Sequence, residues 1–154
     1  QESELDQAVA QMEAVVKNLA SMCTVLVLDL GAGLRPYSKP LLLASDRVIV
    51  VVEPVYPSNV IARAVLDDLF SSGLQRGRTS MAMITRERTS LNIPWKQVEA
   101  DLGIEMAGII SPAPELAQQA SQSGTPLVIL HRDTLTGDQI RKMSETISTK
   151  LALS

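Results

Sequence analysis

Short apolar, β-branched runs alternate with helix-period segments almost from one end of this sequence to the other, and that alternation restricts the fold more than any other feature. Residues 24–30 form a continuous run stopped by Gly31 and Gly33, and residues 47–52 form a second, closed by Pro54. Runs without polar alternation suit strands covered on both faces, as in a parallel sheet. Further runs at 79–84, 104–110 and 126–130 bring the expected strands to five. Parallel neighbours need long crossovers, so the intervening segments are expected to be helices. The predicted class is α/β, a doubly wound, mostly parallel sheet with helices on both faces.

The helical segments carry their own signals. Leu5, Val9, Met12, Val15, Val16 and Leu19 recur at helical spacing behind Ser3, a candidate N-cap. Residues 37–44 supply a short helix. Ser58 is the expected cap of the next, which carries Ile61, Val65, Leu66 and Leu69 on one face and ends near Gly73. Asn92 and Pro94 open a helix striped by Trp95, Val98 and Leu102 and stopped at Gly103. Residues 114–122 are a helix, and Ile140, Met143, Ile147 and Leu151 mark a last amphipathic one. No internal repeat and no low-complexity linker divides the chain, so residues 1–154 read as one α/β domain. Because it opens at Gln1 rather than Met, it is expected to be a processed chain or an excised fragment of a longer protein.

Composition excludes several function classes. A net charge of −3 offers no basic excess for a phosphate backbone, and one Trp, two Tyr and one Phe give little for bases to stack on. Direct nucleic-acid binding is not expected. Apolar stretches fall far short of the roughly 20 residues of a membrane span, and no signal-peptide pattern opens the chain. A soluble, cytoplasmic protein is expected. One cysteine and one histidine cannot build a Cys/His metal cluster. Cys23 is expected to be a buried small hydrophobe, and His131 to sit at a strand end in a structural or solvent-facing role.

In a doubly wound sheet, ligands bind beyond the C-terminal ends of the strands. Four places qualify: residues 29–33, 53–58, 85–88 and 111–115. Asp29 closes a buried run and precedes two glycines that let the backbone turn tightly; its carboxylate could hold a magnesium-bound water near phosphates, or could simply cap a turn.

Two families share the string Val27-Leu28-Asp29-Leu30-Gly31-Ala32-Gly33. It resembles the glycine-rich first motif of class I methyltransferases that use S-adenosylmethionine, with Glu53 where their acidic residue grips the ribose. That motif usually continues with another glycine, whereas Leu34, Arg35 and Pro36 follow here. The string also resembles the strand of MinD/ParA-type P-loop ATPases that carries their switch Asp, particularly the CpaE-like and TadZ-like bacterial members associated with pilus assembly. This second likeness extends further. Ala44-Ser45-Asp46-Arg47-Val48 running to Val51-Val52-Glu53-Pro54 is similar to the family's short helix and Pro-terminated strand. Gly108-Ile109-Ile110-Ser111-Pro112-Ala113-Pro114-Glu115-Leu116, then Gly124-Thr125-Pro126-Leu127-Val128, looks like its strand, Pro-rich adenine-side loop, helix and Gly-x-Pro strand.

The resemblance implies ATP and Mg as ligands of a complete family member. The residues it assigns to the nucleotide side are Asp29, Gly31, Gly33, Thr85, Arg86, Ser111 and Pro112, with Asp29 reaching the metal through water. It also implies protein partners, including self-association. The departures point the other way. No glycine here is followed by lysine, so neither form of the Lys-containing phosphate loop is present. Without that loop hydrolysis cannot be organised, and the chain alone is expected to be no ATPase and to need no cofactor. Thr85 stands where relatives have Asn, Ser111 where Pro is usual and Ala113 where Asp is common. A non-catalytic, degenerate domain acting in regulation, localisation or assembly through protein contacts is therefore expected first. A nucleotide-dependent dimerising switch whose phosphate loop lies upstream is the alternative. Family members can end in a membrane-binding helix; here Asp138 and Glu145 dilute Arg141, Lys142 and Lys150, and the apolar stripe is expected to pack on the sheet. Arg86 and Arg88 are also candidates for plain solvated charges.

Overall fold

The computed structural model describes residues 2–86 and 91–152. Helix α1 spans Glu2–Ala20 and α2 Ser38–Ala44, followed by β1 Val48–Val52, α3 Tyr56–Ser71, β2 Thr79–Ile84 and α4 Trp95–Leu102. After these come β3 Glu105–Ile110, α5 Pro114–Ser123, α6 Leu127–Leu130 and α7 Leu135–Lys150. The strands form one parallel sheet in the order β1-β2-β3. Opposite Met81 and Ala82 of β2, β3 carries one extra residue, Ala107.

Strand β2 is buried on both faces, because alternate side chains meet different helices. Met81 and Met83 join Val52, Ala62, Leu66, Val98, Leu102 and Ile104 in the main core, so α3 and α4 cover one face. Ala82 pairs with Gly108 on the other, where α7 packs against β3. Each fully buried Leu or Met in this core contributes on the order of 1.5–3 kcal/mol. The C-terminal end of α7 is tied to the sheet as well: Lys150 Nζ donates to Ser80 Oγ (3.3 Å) and to Glu105 Oε2 (2.6 Å), while Arg47 donates to the Lys150 carbonyl at 2.8 Å. The α/β class, the parallel pairing and the helices flanking the sheet agree with the reading of the sequence.

Several expectations need correction. Residues 24–30 are not a strand: they pair with nothing, and Val25 and Val27 are exposed. Leu26, Leu28 and Leu30 are nevertheless half-buried in alternation, so the strand pattern is present without a neighbour to bond. Residues 126–130 are not a strand either. Pro126 carries helix-start geometry, and the Leu130 and His131 amides bond four residues back, to the Pro126 and Leu127 carbonyls (3.0 and 2.8 Å), so one helical turn satisfies the run locally. His131 therefore caps α6 rather than ending a strand, and its Nε2 is buried without a hydrogen-bond partner. Ser3 lies inside α1, not at its cap. Ser58 sits in the first turn of α3 and accepts the Glu53 amide at 3.0 Å, pinning the end of β1 instead of capping the helix, whose N-cap is Val55. Cys23 is exposed, its thiol donating to the Leu19 carbonyl at 3.3 Å just past α1. Arg88 lies outside the described residues.

Candidate functional site

The C-terminal ends of β1, β2 and β3 converge at one edge of the sheet. The Thr85 amide continues the ladder by donating to the Ile110 carbonyl at 3.0 Å, which holds the exits of β2 and β3 side by side. Arg86 turns toward the exit of β1 and pairs with Glu53, Nε to Oε1 at 2.9 Å, although its side chain is largely exposed. Glu53 is thereby engaged by a guanidinium, not presented to a ribose as the methyltransferase likeness requires.

Beyond β3 the chain enters Ser111-Pro112-Ala113-Pro114 and turns into α5, with Pro114 at the helix start where its missing N–H costs nothing. Residues 111–116 face the first turn of α7, whose cap is Thr134, its side chain accepting the Gly137 amide at 3.2 Å. Gly137 is compelled here: a Cβ would stand 2.5 Å from the His131 carbonyl oxygen. Between these two walls lies an open cleft of about 330 Å³. Its lining combines rings and aliphatic surface from Pro112, Pro114, Leu116 and Leu135 with hydroxyls from Ser111, Thr134 and Thr136. Among the described residues Glu115 is the one charged lining residue, and no lysine or arginine lines the cleft.

Two expected site residues, Ser111 and Pro112, thus line one cleft. Thr85 and Arg86 stand at the neighbouring strand end but do not line it. Asp29 is separate. Its carboxylate accepts the Gly31 amide at 2.9 Å, a local turn made possible by positive φ at Gly31 and Gly33 (71° and 75°). Among the described residues Asp29 makes no hydrogen bond or ion pair with Thr85, Arg86 or Ser111, and no group of three His, Cys, Asp or Glu is placed to hold a metal ion.

Four contributors were not expected from sequence: Thr134, Leu135, Thr136 and Gln139. Gln139 is not in the lining but grips it, accepting the Ser111 amide on Oε1 (2.8 Å) and donating from Nε2 to Ser111 Oγ (3.0 Å). Nothing local marks that glutamine; the contact spans 28 residues and depends on where α7 lies on β3.

No family model matches the chain. It is 25% identical over 134 residues to an uncharacterised ATP-binding protein of Methanocaldococcus jannaschii, a match covering 87% of this chain and 50% of that protein. Its fold is similar to the cell division ATPase MinD of Pyrococcus furiosus, with a TM-score of 0.75 and 19% identity over 88% of this chain and 56% of that one. It is also similar to the septum site-determining protein MinD of Pyrococcus horikoshii, solved with Mg-ADP, with a TM-score of 0.67 and 19% identity over 80% of this chain and 49% of that one. The chain spans about half the length of these relatives.

Proposed function

We propose that this chain is a MinD/ParA-like domain of the P-loop ATPase superfamily that holds the base end of a nucleotide and leaves the phosphates to another part of the polypeptide. The observation that carries this reading is the cleft itself. Flat proline and leucine surface edged by the Ser111 and Thr136 hydroxyls suits a neutral heterocycle with a polar edge, and among the described residues no cationic side chain lines the cleft to compensate a triphosphate. The described lining residues therefore suit a neutral nucleoside such as adenosine better than they suit Mg-triphosphate. Asp29 supplies a carboxylate already turned by Gly31 and Gly33; its role as the switch residue that senses the γ-phosphate requires a Lys-containing loop upstream of residue 1.

In this reading the domain is one half of a nucleotide-dependent, self-associating switch, and alone it does not hydrolyse ATP. A second reading is favoured by Thr85, Ser111 and Ala113, which replace the residues usual in CpaE-like chains: the domain then works as a non-catalytic module for regulation, localisation or assembly through protein contacts. A Gly-Lys-Ser/Thr loop encoded upstream supports the switch, and a gene without one supports the module. The base-end assignment is tested by photolabelling with 8-azidoadenosine and peptide mapping. The label is expected in peptides covering residues 111–116 and 134–136, suppressed by adenosine; labelling elsewhere, or none, contradicts it.

A further inference from the structure

We infer that Gln139 is a positioning residue that sets the hydrogen-bonding polarity of the cleft, acting through Ser111. The inference rests on the base-end reading above but has a part that stands apart from it.

The two hydrogen bonds fix the amide's orientation. The Ser111 backbone N–H is solely a donor, so the atom 2.8 Å from it is the carbonyl oxygen, and Nε2 must then face Ser111 Oγ. A serine hydroxyl has one proton and two lone pairs. Because Nε2–H occupies a lone pair, the Ser111 proton is directed to another acceptor, and among the described residues Oγ donates to no protein group. Ser111 lines the cleft while Gln139 does not. The cleft is thus offered the hydroxyl proton beside one remaining lone pair, and that proton is matched to a ligand with an acceptor on its edge, such as a purine ring nitrogen.

Helix α7 also carries cleft residues Leu135 and Thr136. One side chain therefore fixes the β3 exit against the same helix that forms the facing wall, and a loop between two prolines gains a defined position. Removing the amide should free the loop. Replacing it with a carboxylate should do something different: Gln139→Glu still accepts the Ser111 N–H, but its second oxygen is an acceptor, so Ser111 Oγ must turn its proton toward it and present lone pairs to the cleft.

The test uses the 154-residue chain, its Gln139→Ala and Gln139→Glu variants, amide hydrogen exchange and calorimetric titration with adenosine, a neutral probe that the new carboxylate does not repel. In Gln139→Ala the Ser111 amide is expected to exchange about tenfold faster while the centre of α7 stays protected, and adenosine to bind about tenfold more weakly. In Gln139→Glu the Ser111 amide is expected to stay protected, yet adenosine to bind about tenfold more weakly, the size of one hydrogen bond left unmade. A purely structural glutamine would leave Gln139→Glu binding adenosine like the unaltered chain, and that result overturns the polarity argument. Unchanged Ser111 exchange in Gln139→Ala overturns the clamp itself. Absence of adenosine binding by the unaltered chain overturns the base-end reading and the ligand half of this inference with it, and leaves the clamp to be decided by exchange.

Discussion

At Gly108 a single missing methyl group governs how closely α7 approaches the sheet. A Cβ there would stand 2.7 Å from Met143 Cβ and 2.8 Å from its Cγ, inside any tolerable contact. Because Met143 Cβ sits next to the helix backbone, rotating the side chain does not relieve the clash, and α7 would have to move. Gly108→Val is therefore expected to lower the unfolding free energy by about 1–3 kcal/mol through overpacking, measured by urea denaturation with an unchanged m-value. The displacement should also spread to the Gln139–Ser111 contact, which lies along the same helix. By contrast, the Glu53–Arg86 pair is exposed, and an ion pair of this kind adds little to stability. Of the residues singled out in the sequence, Ser111 and Pro112 reach the cleft through a motif that turns the chain in a fixed way. Asp29 is recognisable as a turn carboxylate but not as part of the same cluster, because a βα turn is specified locally whereas its distance from the other strand ends is not.

Elements with a two-faced burial pattern or an end signal are legible in the sequence. Strands β1, β2 and β3 and helices α3, α4, α5 and α7 lie where apolar runs, Gly103 and Pro114 put them. The misread elements share one cause. Residues 24–30 and 126–130 are apolar runs of strand length, and composition alone does not reveal whether a partner strand exists to take their backbone groups. Residues 126–130 resolve the problem with a helical turn; residues 24–30 do not, and Val27 is left 85% exposed. Strand β1 presents a similar difficulty, since it lies at the edge of the sheet yet is entirely Val and Ile, with Val51 60% exposed. Natural edges usually carry charge or proline instead. These two segments are expected to drive self-association of the isolated chain. Val27→Lys together with Val51→Lys should shift it toward monomer in light scattering while changing unfolding stability by less than about 0.5 kcal/mol, as exposed positions do. A chain that is monomeric at high concentration before substitution contradicts the expectation.

The molecule as a whole joins a well-covered half to a largely exposed one. Around β2 the sheet is covered on both faces, and the exit of β3 leads into an open cleft between the starts of α5 and α7. Around α1 and residues 24–30 most side chains are exposed. The MinD structures share this fold over about half of their length, 56% of one and 49% of the other. The fold class follows from alternation alone because that pattern is written along the whole chain. The proposed division of labour between a base end and a phosphate end rests on the lining of the cleft, which depends on which side chains separate segments bring together. The most direct measurement of this division compares the affinities of the 154-residue chain for adenosine and for ATP with Mg, together with phosphate release. The two ligands are expected to bind within about threefold of each other, a difference of less than about 1 kcal/mol, with no phosphate released above background. ATP bound more than about tenfold tighter than adenosine, or any turnover by the isolated chain, would show that the phosphates are held here and would contradict the account.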